Sequence, residues 1–134
     1  MPGYLAKAEA IAAAGIDEIV VVCVNDAAVM RSWALDMGVG DNDERTSVEY
    51  VDSDRCEGPV SFAADTHAAL TGALGLVMEP IANLGGDRSL RYAAVFDDGV
   101  ATHVAVSGAP GTDPAGDAYY ANSCVDEVLA AVAK

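Results

Sequence analysis

Three cysteines, Cys23, Cys56 and Cys124, are the residues of this chain most capable of covalent chemistry. A thiolate is both a nucleophile and a redox centre, so what matters at each is whether its neighbours favour that form. Cys23 lies inside the apolar run Glu18-Ile-Val-Val-Val-Cys-Val24, the setting of a buried, inert thiol. Cys56 stands between Asp54 and Glu57, which disfavour a thiolate, with Arg55 alone helping, and reads as an exposed, adventitious thiol. Cys124 directly precedes an amphipathic segment. A helix N-terminus there favours a thiolate, whereas Asp126 and Glu127 oppose it. Three cysteines cannot all pair within one chain, and a reducing compartment fits them best.

Other chemistries are weaker. His67 and His103 each stand without a local partner that would make a metal pair or a catalytic dyad. The carboxylates between residues 40 and 58 suggest calcium, but Asp52-Ser-Asp54-Arg-Cys56 has no glycine at the sixth position of a calcium loop and has Ala63 at the twelfth. A solvated acidic loop is the simpler reading. CxxC, HExxH, GxSxG and GxGxxG motifs are absent, so no metal and no nucleotide cofactor is expected.

The elements that must position these groups follow from pattern. The 134 residues suit one domain, 52% apolar with a net charge of −14. That charge argues against nucleic acid and anionic lipid as partners. Apolar runs such as Ile19 to Val24 fall far short of the roughly 20 residues that span a bilayer. Residues 2–14 predict a helix closed by Gly15, and residues 18–24 a strand covered on both faces, as in a parallel sheet. Asn25-Asp26 caps a helix over 27–37, and Gly38 stops it. Residues 41–58 predict an exposed loop with a short strand at 47–51. A strand at 60–63 follows, then a helix from Asp65 or Thr66 to Leu74. Residues 79–87 read as loop. The strongest local signal is a hairpin of 91–96 and 100–106 around Asp97-Asp98-Gly99. A loop over 108–117 leads to a last helix over 125–133. The alternation of helix and strand makes the chain α/β.

Within this frame five strings recur in order: Pro2-Gly-Tyr4, Gly15-Ile-Asp-Glu-Ile19, Val24-Asn-Asp26 with Val29-Met30 and Trp33, Ala73-Leu-Gly-Leu76, and Arg88-Ser-Leu-Arg-Tyr92. Together they resemble the type II, or atypical two-cysteine, peroxiredoxins of the redoxin family, over almost the whole chain apart from an acidic insertion at about 40–58. The resemblance implies a thioredoxin-like three-layer α/β/α domain. It also implies reduction of hydrogen peroxide and alkyl hydroperoxides, with glutaredoxin or thioredoxin returning electrons. By the same resemblance Arg91 stabilises the attacking thiolate and orients the peroxide, with Arg88 a weaker candidate. Taken alone, Arg91 reads as an ordinary strand arginine paired with a carboxylate. Cys124 matches a resolving cysteine, while Cys23 is offset by two residues from the second cysteine of plant-like members.

The peroxidatic cysteine of the family belongs to a Pro-x-x-x-Thr-x-x-Cys segment just before the helix that here begins at Pro2, and these residues contain no such segment. The chain is therefore expected to be an N-terminally truncated domain without the first strands and the peroxidatic-cysteine loop, or a degenerate paralogue. An unpaired sheet edge and an exposed apolar face should follow. Two functions are compatible with this: a peroxidase portion inactive alone, and a non-catalytic module that pairs through its open sheet edge. The resemblance also implies a homodimer, but Ala28 replaces an aromatic residue common in dimer packing. Trp33, Phe62, Tyr92 and Phe96 are expected in the core. The compartment is expected to be cytoplasmic or organellar, with any targeting segment preceding Met1.

Overall fold

The computed structural model describes residues 1–39, 60–78, 80–108, 113 and 115–133. The elements are α1 (Pro2–Ala6), α2 (Ala8–Ala13), β1 (Ile19–Cys23), α3 (Ala27–Asp36), β2 (Val60–Ala64), α4 (Ala69–Ala73), β3 (Tyr92–Asp97), β4 (Val100–Val106), a 3₁₀ turn (Ala121–Ser123) and α5 (Val125–Val132). The expected loop over 41–58, its strand at 47–51 and Cys56 lie outside the described residues. No helix among the described residues is long and apolar enough to cross a membrane.

The single helix expected over 2–14 is two, because Lys7 leaves helical geometry at φ −117° and ψ 17°. The hydrogen-bond run nevertheless crosses the break, from the Lys7 amide to the Gly3 carbonyl and from the Ile11 amide to the Lys7 carbonyl. Helices α2, α3 and α4 all end in the same motif. The amides of Ile16, Val39 and Leu76 reach back to the carbonyls of Ile11, Ala34 and Thr71. Asp26 caps α3 by accepting from the Val29 amide at 2.9 Å, as its sequence position predicts.

Strands β1 and β2 pair in parallel, with Ile19 opposite Val60 and Cys23 opposite Ala64. Strands β3 and β4 form the predicted antiparallel hairpin, turning through Asp98 at φ 47° and Gly99 at φ 78°, the two left-handed residues of a type I′ turn. Among the described residues the two pairs are separate two-stranded sheets.

One core cluster joins Val21, Met30, Ala34, Val60 and Phe62, with Met1, Leu5 and Ala8 packed against it. Helices α1, α2 and α3 therefore cover one face of the β1–β2 pair. Trp33 meets Phe62 edge to face, ring centroids 5.2 Å apart. The expectation that β1 is covered on both faces fails at Val20, which is 49% exposed, and the expectation of a buried Phe96 fails equally, at 49%. Among the described residues each lies on a strand with a neighbour on one side only, and the β3–β4 register shifts at Val95/Phe96. Cys23 is partly buried against the cluster, not fully enclosed as the apolar run around it suggests.

Helix α4 starts at Ala69, later than expected, because Ala68 before it takes φ 51°. Asp65 still serves that helix from a distance. Its carboxylate accepts from the Thr71 amide (2.8 Å), the Thr71 hydroxyl (2.7 Å) and the Leu70 amide (3.2 Å).

Candidate functional site

Arg91 stands at the entrance of β3, and its carbonyl accepts from the Ser107 amide at 2.8 Å, which ties the start of the hairpin to its end. Its guanidinium extends outward to Asp117, with Nη2 2.9 Å from Oδ1 and side chains 48% and 75% exposed. The arginine is thus paired with a carboxylate, in a position where solvent screens the pair. A carboxylate clasp presents Asp117: Asp113 accepts from the amides of Asp117, Ala118 and Tyr119 at 2.9–3.2 Å. Between them Gly116, at φ 71°, lies directly on the Arg91 and Ser107 side chains. A Cβ on Gly116 would stand 3.1 Å from Arg91 Cβ and 3.0 Å from Ser107 Cβ.

Ser107 carries the connection inward. Its hydroxyl lies 2.7 Å from Asn122 Oδ1 and 2.6 Å from Ser123 Oγ, and Asn122 Nδ2 donates to the Val106 carbonyl. Next in sequence comes Cys124, the N-cap residue of α5 by position, with no side-chain cap bond. Its thiol points back to the Tyr120 carbonyl at 3.5 Å. From the other side Tyr4 of α1 donates its hydroxyl to the Ser123 carbonyl at 2.8 Å. Burial, and then the nearby Cys124, push the Tyr4 phenol up to about 12. Gly3 packs on Val125, and Lys7 pairs with Asp126, so α1 is fastened to the first turn of α5.

One polar network therefore links Arg91, Ser107, Asn122, Ser123, Cys124 and Tyr4. Arg91 and Cys124 belong to the same end of the molecule. Cys23 does not join them: it ends β1, and its carbonyl accepts from the amides of Asn25 and Asp65. Arg88 is occupied with its own loop, donating to the carbonyls of Asp87 and Leu84. His67 is exposed, and His103 faces a cavity beside the hairpin. Among the described residues no group of three His, Cys, Asp or Glu could hold a metal ion.

Close to the start of β3 lies a second buried polar group. Desolvation pushes the Asp65 carboxyl up, but its bonds from Thr71, Leu70 and Ala69 outweigh this and hold it below the ordinary carboxylate range. Burial raises the Tyr92 phenol, and Asp65 adds to that rise. Sequence reasoning missed Tyr4, Ser107, Asn122, Ser123 and the Asp113–Asp117 clasp. The Gly-Thr-Asp-Pro-Ala-Gly-Asp117 string carried the only local signal, an aspartate placed to bond amides a few residues on.

The redoxin family model matches residues 1–120. The chain is 38% identical over 104 residues to Peroxiredoxin-2E-2, chloroplastic, of Oryza sativa subsp. japonica, covering 75% of this chain and 38% of that protein. It is 36% identical over 104 residues to Peroxiredoxin-2E, chloroplastic, of Arabidopsis thaliana, covering 75% of this chain and 36% of that one. The chain thus spans less than two fifths of the length of these two plant relatives. Among solved structures it resembles reduced Prx3 from Vibrio vulnificus, with a TM-score of 0.75, 32% identity, and coverage of 99% of this chain and 68% of that one. The thioredoxin-like α/β fold expected from the sequence is the fold of these neighbours.

Proposed function

This chain belongs to the redoxin family, among its type II peroxiredoxins, and from that premise we propose that it carries the arginine and the second cysteine of a thiol peroxidase. The observation that supports this reading is the network that joins the Arg91 carbonyl to the Cys124 thiol through Ser107 and the Tyr120 carbonyl. The attacking cysteine belongs to the Pro-x-x-x-Thr-x-x-Cys segment, which these 134 residues do not contain.

In the proposed cycle that cysteine's thiolate attacks one oxygen of hydrogen peroxide or an alkyl hydroperoxide. The O–O bond breaks, the sulfur becomes a sulfenic acid, and the other oxygen leaves as water or alcohol after protonation. The Cys124 thiol then condenses with the sulfenic acid, releasing water and leaving a disulfide. The dithiol of thioredoxin or glutaredoxin reduces that disulfide by exchange. Arg91 stabilises the thiolate and orients the peroxide. Its bond to Asp117 is an exposed pair worth about 0–1 kcal/mol, so exchanging that partner for an anionic sulfur costs little. The same chemistry runs in any reducing compartment, cytoplasmic or organellar.

Peroxide consumption with a thioredoxin or glutaredoxin system tests the reading. The 134-residue polypeptide alone should turn over little or no peroxide. The same chain extended at Met1 by a segment with the cysteine motif should turn it over, and Arg91→Met should suppress that turnover. Rapid turnover by the unextended polypeptide, abolished by Cys124→Ser, would overturn the assignment of roles. One observation favours a second reading, a non-catalytic module that pairs through its sheet edge: β1 and β3 each have a strand neighbour on one side only among the described residues.

A further inference from the structure

The 3₁₀ turn that presents Cys124 holds more hydrogen-bond donors than its central acceptor can take. Around the Tyr120 carbonyl stand the Ser123 amide at 3.2 Å, the Ser123 hydroxyl at 3.1 Å, the Ser107 hydroxyl at 3.4 Å and the Cys124 thiol at 3.5 Å. A carbonyl oxygen has two lone pairs, so two of these four donors place their protons elsewhere.

The remaining contacts decide which two. The Asn122 carboxamide fixes the first proton: its Nδ2 donates to the Val106 carbonyl, which turns Oδ1, an acceptor only, toward the Ser107 hydroxyl at 2.7 Å. Two oxygens at that distance need a proton between them, and of the pair only Ser107 has one to give. The Ser107 and Ser123 hydroxyls stand 2.6 Å apart, which also requires a proton, and that of Ser107 is spent on Asn122. Ser123 therefore donates to Ser107. Both hydroxyl protons are drawn away from the Tyr120 carbonyl by contacts shorter than those they would make to it. Its two lone pairs are left to the Ser123 amide and the Cys124 thiol. Ser107 is buried, at 2% exposure, so water does not compete for this order. The thiol so held lies back over the turn and makes no cap bond to α5.

We infer that Ser107 and Asn122 are positioning residues for Cys124: by ordering the protons of this turn they reserve the Tyr120 carbonyl for its thiol and hold the sulfur there until it reacts. The inference rests on the second-cysteine role of Cys124 for its place in the cycle. In that step the Cys124 S–H bond and the sulfenic S–O bond break and the S–S bond forms. The thiol proton leaves with the hydroxide as water, so the Tyr120 carbonyl loses its donor as the disulfide closes.

The test reads the Cys124 S–H bond itself in the 134-residue chain. Infrared difference spectra between each protein and its Cys124→Ser counterpart isolate the S–H stretching band of this thiol. Labelling of Cys124 by iodoacetamide, followed by mass spectrometry, gives its reactivity. The wild-type band should lie at the lower frequency of a hydrogen-bonded thiol. Asn122 is exposed, and Asn122→Ala leaves Ser107 free to donate to Ser123. The Ser123 proton should then turn to the Tyr120 carbonyl, move the band to the frequency of a free thiol and speed labelling by about two- to tenfold. Ser107→Ala should do the same. Adding Ser123→Ala to Ser107→Ala removes the competing hydroxyl and should restore both readings, a rescue that a loss of packing would not give. An unshifted band in Asn122→Ala, or a Ser107→Ala shift that persists when Ser123→Ala is added, overturns the proposal. In the chain extended by the cysteine motif, Asn122→Ala should speed disulfide formation after one equivalent of peroxide by the same factor. If the band moves and disulfide formation does not, the proton order of the turn stands and the second-cysteine role of Cys124 falls.

Discussion

Replacing Asp65 by alanine removes the acceptor of the Thr71 amide, the Thr71 hydroxyl and the Leu70 amide, and Thr71 is 1% exposed. Water cannot reach the Thr71 amide and hydroxyl, and each buried donor left without a partner costs about 1–3 kcal/mol. The expected loss is about 2–6 kcal/mol, with the Leu70 amide adding little at its longer distance. Against a net stability of about 5–15 kcal/mol this is a large fraction. Asp65→Asn keeps one acceptor oxygen, and since both Thr71 bonds end on Oδ2 it can retain both, so it should lose well under half as much. In the Asp65→Ala background, Thr71→Val removes one stranded hydroxyl and should recover part of the loss. Urea unfolding followed by fluorescence of Trp33, the single tryptophan, which packs on Phe62, measures all four proteins. The pH dependence is a second check. The folded state holds this carboxyl below its unfolded value of about 3.9, so its contribution is complete above that pH and is lost as pH falls through the folded value. The wild type should therefore lose more stability than Asp65→Asn over that acid range. An Asp65→Ala protein within about 0.5 kcal/mol of wild type, or parallel acid profiles, would refute the reasoning.

Three further outcomes are expected. Gly116→Ala should destabilise by about 2 kcal/mol or more, since alanine is strained at φ 71° and its Cβ would press on Arg91 and Ser107; thermal unfolding reads this directly. Asp117→Asn should change stability by no more than about 1 kcal/mol, less in high salt, because its pair with Arg91 is exposed. Tyr4 ionises late, at about 12, so its contribution is complete below the unfolded value of about 10 and is lost as pH rises to about 12. Tyr4→Phe should flatten that alkaline loss, and tyrosinate absorbance should lose a late-titrating group.

The sequence by itself determined what depends on neighbours a few residues apart. The Asp98-Gly99 turn, the Asp26 cap, the glycine after α2 and the period of α5 are local matches between side chain and backbone, and all appear where they were expected. The ordered family strings identified the family for the same reason, since each is a short stretch of contiguous residues. Arg91 and Cys124 were legible as candidates by that route, but their surroundings were not.

Only the tertiary structure decided those surroundings. Asp117 reaches Arg91 across 26 residues, and Ser123 accepts from Tyr4 across 119. The exposure of Val20 and Phe96 is of this kind too. Each has the residue type of a core position, and burial is a property of what lies across from it. Periodicity reports which face of an element is apolar. It is silent on whether another element comes to cover that face, because that depends on contacts closed over long stretches of chain.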